Sequence, residues 1–439
     1  FFFLQHRRAL APDFVCARAS VCLCACVPVC LPMPTAPADS TLVSKCAAFD
    51  AFSAGKRPAG GNVVRGVRWS PDGSCLLTAS EDCALRVFHL PSEVAHDAYA
   101  TTCAAAEAER GDGSGGGDGA ATASENGNGA VTGGGGGDSE EELRPALRID
   151  EGESVYDYAW YPLMSAHDPM TCCLLSTSRG RPVHLWDAVS GTLRASYVGF
   201  NHLDEVDAAN SVVFEPSGRF IYAGYERAVR VFDVTRPGRA IETRPTAATR
   251  KSRDGQRGLL SCLAFSPDGS GLYAAGSFAG SIGLYVDNAK AHVALLGGHT
   301  GGVTQVQFTP DGLYLLSGAR RDGRIIAWDV RNTCQPVAEY VRSSPTNQRI
   351  GFDLSRDGSH LFTGSRDGCV LAYPLHGPPS EPTTLLSYAD AVSGVSLHPS
   401  LPLLAVSVGE RTFPLRFGGK RRREGGEGGE GGGSGDGSD

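Results

Sequence analysis

Residues Val303–Asp329 read VTQVQFTPDGLYLLSGARRDGRIIAWD. Val303, Gln305 and Gln307 alternate with Thr304, Val306 and Phe308, the period-two pattern of a strand with two different faces. Pro310-Asp311-Gly312 then predicts a turn, because proline presets φ and glycine accepts the positive φ a tight turn needs. Leu313–Ser317 returns as a second strand, Asp322-Gly323 marks another hairpin, and Ile325–Trp328 makes a third strand. A short outer strand at Val337–Val341 completes the unit. Such a sheet cannot cover its own faces and must pack against copies of itself in a ring. Copies centre on Pro71-Asp72-Gly73, Pro162, Pro216-Ser217-Gly218, Pro267-Asp268-Gly269, Arg356-Asp357-Gly358 and Pro399. From the third turn onward the steps are 51, 43, 46 and 43 residues, close to the roughly 40–45 of a propeller blade. The 91-residue step from Pro71 to Pro162 holds one repeat plus an insertion. The count predicts seven blades.

His299, Ser317 and Asp322 fall within one repeat and invite comparison with a catalytic triad. Their spacing instead matches the structural tetrad of WD repeats. The His precedes the first strand, the hydroxyl lies late in the second, the Asp sits in the following turn, and Trp328 is on the third strand. A hydrogen-bonded chain of this kind satisfies buried polar groups and fixes blade geometry. Asp82 and Asp367 repeat the Asp position, whereas Gly180, Glu226 and Ala279 occupy it in blades two, three and four. The expected fold class is therefore all-β, a seven-bladed WD-repeat β-propeller over residues 44–417. No nucleophile elbow, phosphate-binding loop, metal motif or paired-carboxylate context is present. The expectation is a binding platform with no catalytic residue, no cofactor and no metal.

The chain has 439 residues with 40 Lys and Arg against 48 Asp and Glu. Nine of the acids lie in residues 107–142 and five in residues 418–439, so the rest is close to neutral. Residues 107–142, rich in Gly and Asp, carry too little apolar surface to offset ordering entropy and are expected to be a disordered insertion in the first blade. Residues 418–439 are expected to be a disordered Gly/Glu tail. Its Lys420-Arg421-Arg422-Arg423 cluster reads as a solvated charge run, with a nuclear signal as the second reading. Residues 1–43 are expected to be disordered or mis-annotated. They lack an initiator Met, and the apolar stretch Val21–Leu31, interrupted by Pro28, is short of the roughly 20 residues of a membrane span. They are expected to be read-through of non-coding sequence, with Met33 or an upstream exon as the real start, and no localisation is drawn from them. The seventh unit, Val392–Leu415, shows two clear strands and a weak third, so the segment near Lys45–Phe52 is expected to supply its outer strand. The 14 cysteines include single Cys75, Cys262, Cys334 and Cys369 in or beside strands. They read as small core residues of a reducing compartment rather than disulfides.

In a propeller the second-to-third-strand (b–c) turns and the blade-to-blade links share one face. The b–c turns carry Arg179, Arg181, Arg227, Arg320, Arg321 and Arg366. The links add Arg250, Lys251, Arg253, Arg257, Arg342 and Arg349. The opposite face holds mostly Pro-Asp-Gly turns. A one-sided ring of arginines suits phosphate and unpaired bases, and Tyr225 and Phe278 are aromatic candidates beside it. The competing reading is a protein-binding WD-repeat adaptor without direct RNA contact, since protein-binding faces are also rich in Arg.

Several strings are more specific than the repeat itself: VYDYAWYPLMSA (Val155–Ala166), HLWDAVSGTLRASY (His184–Tyr197), NHLDE (Asn201–Glu205), RPGR (Arg236–Arg239), ALLGGHTGG (Ala294–Gly302), SGARRDG (Ser317–Gly323), TNQRIGFDL (Thr346–Leu354) and GVSLHPSLPLLA (Gly394–Ala405). In these, from about Asn62 to Thr412, the chain closely resembles the telomerase Cajal body protein 1 family (WD repeat-containing, antisense to p53). The resemblance implies an RNA-binding scaffold that recognises the CAB box of small Cajal body RNAs and, in some lineages, of telomerase RNA. It implies as partners dyskerin-containing box H/ACA ribonucleoproteins, telomerase and a folding chaperonin, with no membrane. It also implies a place in the nucleus and Cajal body with a cytosolic pool, in support of telomere maintenance; a DNA-repair scaffolding role is ascribed to the family too. The family's acidic N-terminal extension and longer C-terminal region have no counterpart here, which bears on recruitment functions.

Overall fold

The computed structural model describes residues 20–25, 45–47, 62–100, 141–247, 249, 255–287, 289, 291–377 and 381–411. Residues Arg250, Lys251, Arg253, the Lys420–Arg423 cluster, the tail 418–439 and nearly all of the insertion 107–142 lie outside them.

The architecture is an all-β propeller of the WD40 type. Blade five shows how the chain builds one unit. Val303–Phe308, Tyr314–Ala319, Arg324–Asp329 and Asn332–Val341 pair in that order, each antiparallel to the last. Blades one, two, three, four and six repeat the order, with inner strands Val64–Trp69, Val155–Trp160, Ser211–Phe214, Leu260–Phe265 and Phe352–Leu354. Middle strands such as Cys75–Ser80 and Cys173–Ser178 are buried along their whole length, because each blade has a neighbour on both faces. The core is accordingly split into clusters between adjacent blades. Ile326, Trp328 and Leu315 of blade five, for example, pack on Leu284 and Leu296 of blade four. In blade one, residues 92–100 are helical, and Val94 and Ala98 pack into the core.

The expectation of seven such blades is corrected: six are complete units with four antiparallel strands, and the sheet of blade two carries two short strands more. The seventh repeat supplies only Val392–Leu397 and Leu403–Val408 to its sheet. Ser20–Ala25 pairs along the whole free edge of Leu403–Val408, Lys45–Ala47 adds to it, and Glu141–Glu142 lies parallel beyond. Ser20–Ala25 thus departs from the disorder expected of residues 1–43, and Glu141–Glu142 from that expected of residues 107–142. Leu403–Val408 is buried at every residue. An unpaired edge on so apolar a strand would strand backbone donors and acceptors, which explains why another segment adds there.

The inner strands are tied to one another around the ring by side chains that reach the next backbone. Arg65 Nη1 donates to Val155 O (2.5 Å), Asp157 Oδ2 accepts from Val212 N (3.1 Å), and Ser211 Oγ donates to Leu260 O (3.0 Å). Ser261 Oγ donates to Val303 O (2.5 Å) and Gln305 Nε2 to Phe352 O (2.6 Å). Asp353 Oδ2 accepts from Leu397 N (2.8 Å), and Ser393 Oγ donates to Val64 O (2.8 Å), which returns to blade one.

His398 adds a second tie at this last junction. Its Nδ1 accepts from Ser400 N (3.1 Å) and Leu401 N (2.9 Å), which requires the neutral ring, so Nε2–H donates to Gly73 O (3.0 Å). Gly73 has φ +78°, and a Cβ there would collide with the His398 ring. Burial pulls the His398 pKa below 6.5, outweighing the Gly73 carbonyl and Asp72. A depressed folded pKa means stability present above 6.5 and lost as pH falls towards the folded value. His398→Ala is expected to cost about 1–2 kcal/mol at pH 7.5 and to flatten the acid-side fall in melting temperature. An unchanged pH slope in the variant would refute this tie.

Candidate nucleic-acid interface

Blade five joins its link, second strand, turn and third strand through four side chains. His299 Nδ1–H donates to Asp322 Oδ2 (3.1 Å), Nε2 accepts from Ser317 Oγ (2.9 Å), and Trp328 Nε1–H donates to the same hydroxyl (3.0 Å). Asp322 also accepts from Thr300 N (2.9 Å) and Arg324 Nε (3.1 Å). Burial alone would raise the Asp322 carboxyl, but Arg324, Thr300 and His299 together hold it far below the usual range. Burial keeps His299 neutral against the pull of Asp322. Ser317 is 0 % exposed, so the Ser–His–Asp contact has no substrate path and works as a fastener between link and turn.

Other blades solve the same problem with residues the sequence reading missed. In blade two Glu151 accepts from Ser176 Oγ, Ser178 Oγ (3.0 Å), His184 Nδ1 (3.1 Å) and Trp186 Nε1 (2.9 Å). In blade four Gln256 donates to Ala275 O (2.6 Å) and accepts from Tyr285 OH (2.9 Å). Both stand four residues before their inner strand, as His299 does. That offset, applied without insisting on His, would have found them. In blade one Asp82 pairs with fully buried Arg86 (2.5 Å). Asp367 of blade six is exposed; there Arg342 takes the interior position, donating to Thr363 Oγ1 (2.6 Å).

These fasteners fix the b–c turns against the links. Arg179 N bonds Ser154 O, Arg227 N bonds Gly258 O, and Arg320 N bonds Gly302 O. Arg321 N bonds Thr346 O and Arg366 N bonds Ser343 O. The b–c turns and the described parts of the links therefore share one end of the ring. The seven candidates differ in what they do there. Arg179, Arg181 and Arg321 are exposed, with Arg181 lying against Gly152 of the adjoining link. Half-buried Arg320 stacks on Phe278, guanidinium carbon to ring centroid 4.5 Å. None of the ion pairs among the described residues takes up these four. Arg227, half-buried, has φ +59°. Arg366 faces Glu410 (3.1 Å). Arg349 points away from the rim towards the inner strands, where it and Arg68 flank Asp157 (3.6 and 3.2 Å).

Two further expectations change. Arg342 is not a surface charge but 3 % exposed, its pKa pushed down to about 10 by burial. Tyr225 is not available for stacking: it is buried, Arg230 covers its ring at 4.0 Å, and burial pushes its hydroxyl up to about 12. Among the described residues no cluster of His, Cys, Asp and Glu could hold a metal ion, and no helix is long and apolar enough to cross a membrane.

Residues 57–89 and 290–329 match the WD domain, G-beta repeat family. The fold and these repeats define a WD-repeat propeller. Over 80 % of its length the chain is similar to proteins named Telomerase Cajal body protein 1. It is 42 % identical to the human protein, 41 % to the mouse protein and 34 % to the Drosophila melanogaster homolog. It spans about three fifths of the length of these relatives (58, 60 and 57 %).

Proposed function

We propose that this propeller is a non-catalytic RNA-binding scaffold. Its arginine-bearing end captures the single-stranded CAB box of small Cajal body RNAs, and of telomerase RNA where that carries the box. The observation that carries the reading is the set of four arginines, Arg179, Arg181, Arg320 and Arg321, brought to one end by rigid turns with no carboxylate partner among the described residues. Cations without a carboxylate partner keep their charge available to displace counterions from phosphate. Arg227 and Arg366 lie at the same end, and Arg349 lies inward of it beside Asp157. The names of the relatives support Cajal body and telomerase assemblies as the setting, hence the nucleus. Box H/ACA ribonucleoproteins would be held through the RNA, and a chaperonin would serve folding.

Arg320→Glu with Arg321→Glu is expected to weaken binding of a small Cajal body RNA hairpin at least tenfold while the melting temperature stays close to wild type. Log affinity of the wild type should fall with log salt by about 0.7 per phosphate contacted, and the double variant should show a shallower slope. Undiminished RNA recovery by the variant in a crosslinking pulldown would refute the placement. Nuclease treatment separates this reading from the protein adaptor: it should release the partners here and spare them there.

A further inference from the structure

Phe278 stands on the b–c turn of blade four and Arg320 on that of blade five, and they meet across the junction at 4.5 Å. The link that runs between them must be bare for this to happen. A Cβ on Gly302 would lie 2.8 Å from Phe278 O, 2.9 Å from its Cα and 3.1 Å from Arg320 Nε, and one on Gly301 would overlap the Arg320 carbonyl. The stack is therefore built into the backbone rather than left to side-chain chance. Both partners are only half-buried, so the pair is neither core packing nor a loose surface contact.

Arg321 supplies a second, independent observation. Its φ is +54°, in the left-handed region, which the b–c turns of the other blades fill with Cys83, Gly180, Arg227, Gly280 and Gly368. An L residue is strained there, and this one spends the strain on an exposed cation beside the stack.

We propose that the Arg320–Phe278 pair is the stacking platform for one unpaired base of a single-stranded RNA, with Arg321 holding the phosphate next to it. A guanidinium is planar and weakly hydrated, and laid on a ring it extends that flat surface while keeping its charge. Stacking reads the face of a base rather than its edge, so the platform adds affinity for an extruded base without choosing which one. The proposal rests on the RNA reading above and specifies how the face engages its ligand.

The test uses the full chain and two fluorescent RNA hairpins, one with an eight-uridine loop and one with abasic riboses in the same loop. Wild type is expected to prefer the base-bearing loop by about tenfold, within the range for stacking of one base. Arg320→Lys, which keeps the charge and loses the plane, should erase the preference while salt-dependent binding of both hairpins persists. Phe278→Leu should do the same; if it melts well below wild type, Arg320→Lys alone decides. Equal binding of the two hairpins by wild type, or a preference retained by Arg320→Lys, overturns the platform and leaves the scaffold reading standing. Binding of neither hairpin overturns the platform as a base-tolerant site and leaves the scaffold reading to the small Cajal body RNA hairpin above.

Discussion

Glu151→Ala is expected to lower the unfolding free energy by about 3–5 kcal/mol, the scale for breaking a buried charged network on one side. The carboxylate is the common acceptor for two hydroxyls, the His184 ring and the Trp186 indole, and it is 2 % exposed. Removing it leaves buried donors without partners, each costing about 1–3 kcal/mol, offset where the hydroxyls find backbone carbonyls. Glu151→Gln keeps the volume and one acceptor oxygen but points an amide at other donors, so an intermediate loss is expected. Burial would raise the Glu151 carboxyl, but His184, Ser176 and Trp186 together bring it below 4.5. With the folded pKa below the unfolded one, this stabilisation is present above pH 4.5 and lost as pH falls through the folded value. Denaturant titrations at pH 7.5 and pH 4 check both statements. A loss below 1 kcal/mol in Glu151→Ala at pH 7.5 would mean the network is not what holds blade two.

Trp328→Ala is expected to cost about 3–5 kcal/mol, the range for truncating a buried aromatic. Trp328 is 3 % exposed and packs against Leu284, Leu296 and Leu315 at the junction of blades four and five. Its loss removes apolar burial from two blades at once and takes a donor from Ser317. Trp328→Phe separates the contributions: the ring still fills the junction, Ser317 keeps His299, and about 1 kcal/mol is expected for the lost indole hydrogen bond. Because His299 and Asp322 brace the turn that carries Arg320 and Arg321, the Ala variant should also weaken RNA binding. Equal losses in the Phe and Ala variants would show that packing at this junction contributes little.

The repeat was legible because each unit carries its own local signals. Pro310-Asp311-Gly312 must turn, and Val303–Phe308 must present two faces, wherever in space the unit ends up. The tetrad of blade five was legible for the same reason, since His299, Ser317, Asp322 and Trp328 keep the pattern's residue types as well as its spacing. Glu151 and Gln256 were missed because a carboxylate and an amide can each replace an imidazole as the buried partner, and Arg342 because it stands ten residues before its inner strand rather than four. The sequence shows the position but not which chemistry fills it.

Alone, the chain's order of strands and turns determined that this is a ring of sheets, and which turns carry arginine. Local propensity and period decide those things, and they survive any rearrangement at a distance. Only the tertiary structure decided which arginines are free to meet a ligand. Arg349 is drawn to Asp157, Arg366 meets Glu410 and Arg342 is buried, whereas Arg179, Arg181 and Arg321 stay exposed and Arg320, lying over Phe278, enters none of the ion pairs among the described residues. The closure of the ring was likewise decided in three dimensions, with Ser20–Ala25 laid along Leu403–Val408. The physical reason is that charge pairing and edge pairing depend on distances of a few ångströms between residues tens to hundreds apart, and no local pattern encodes those distances.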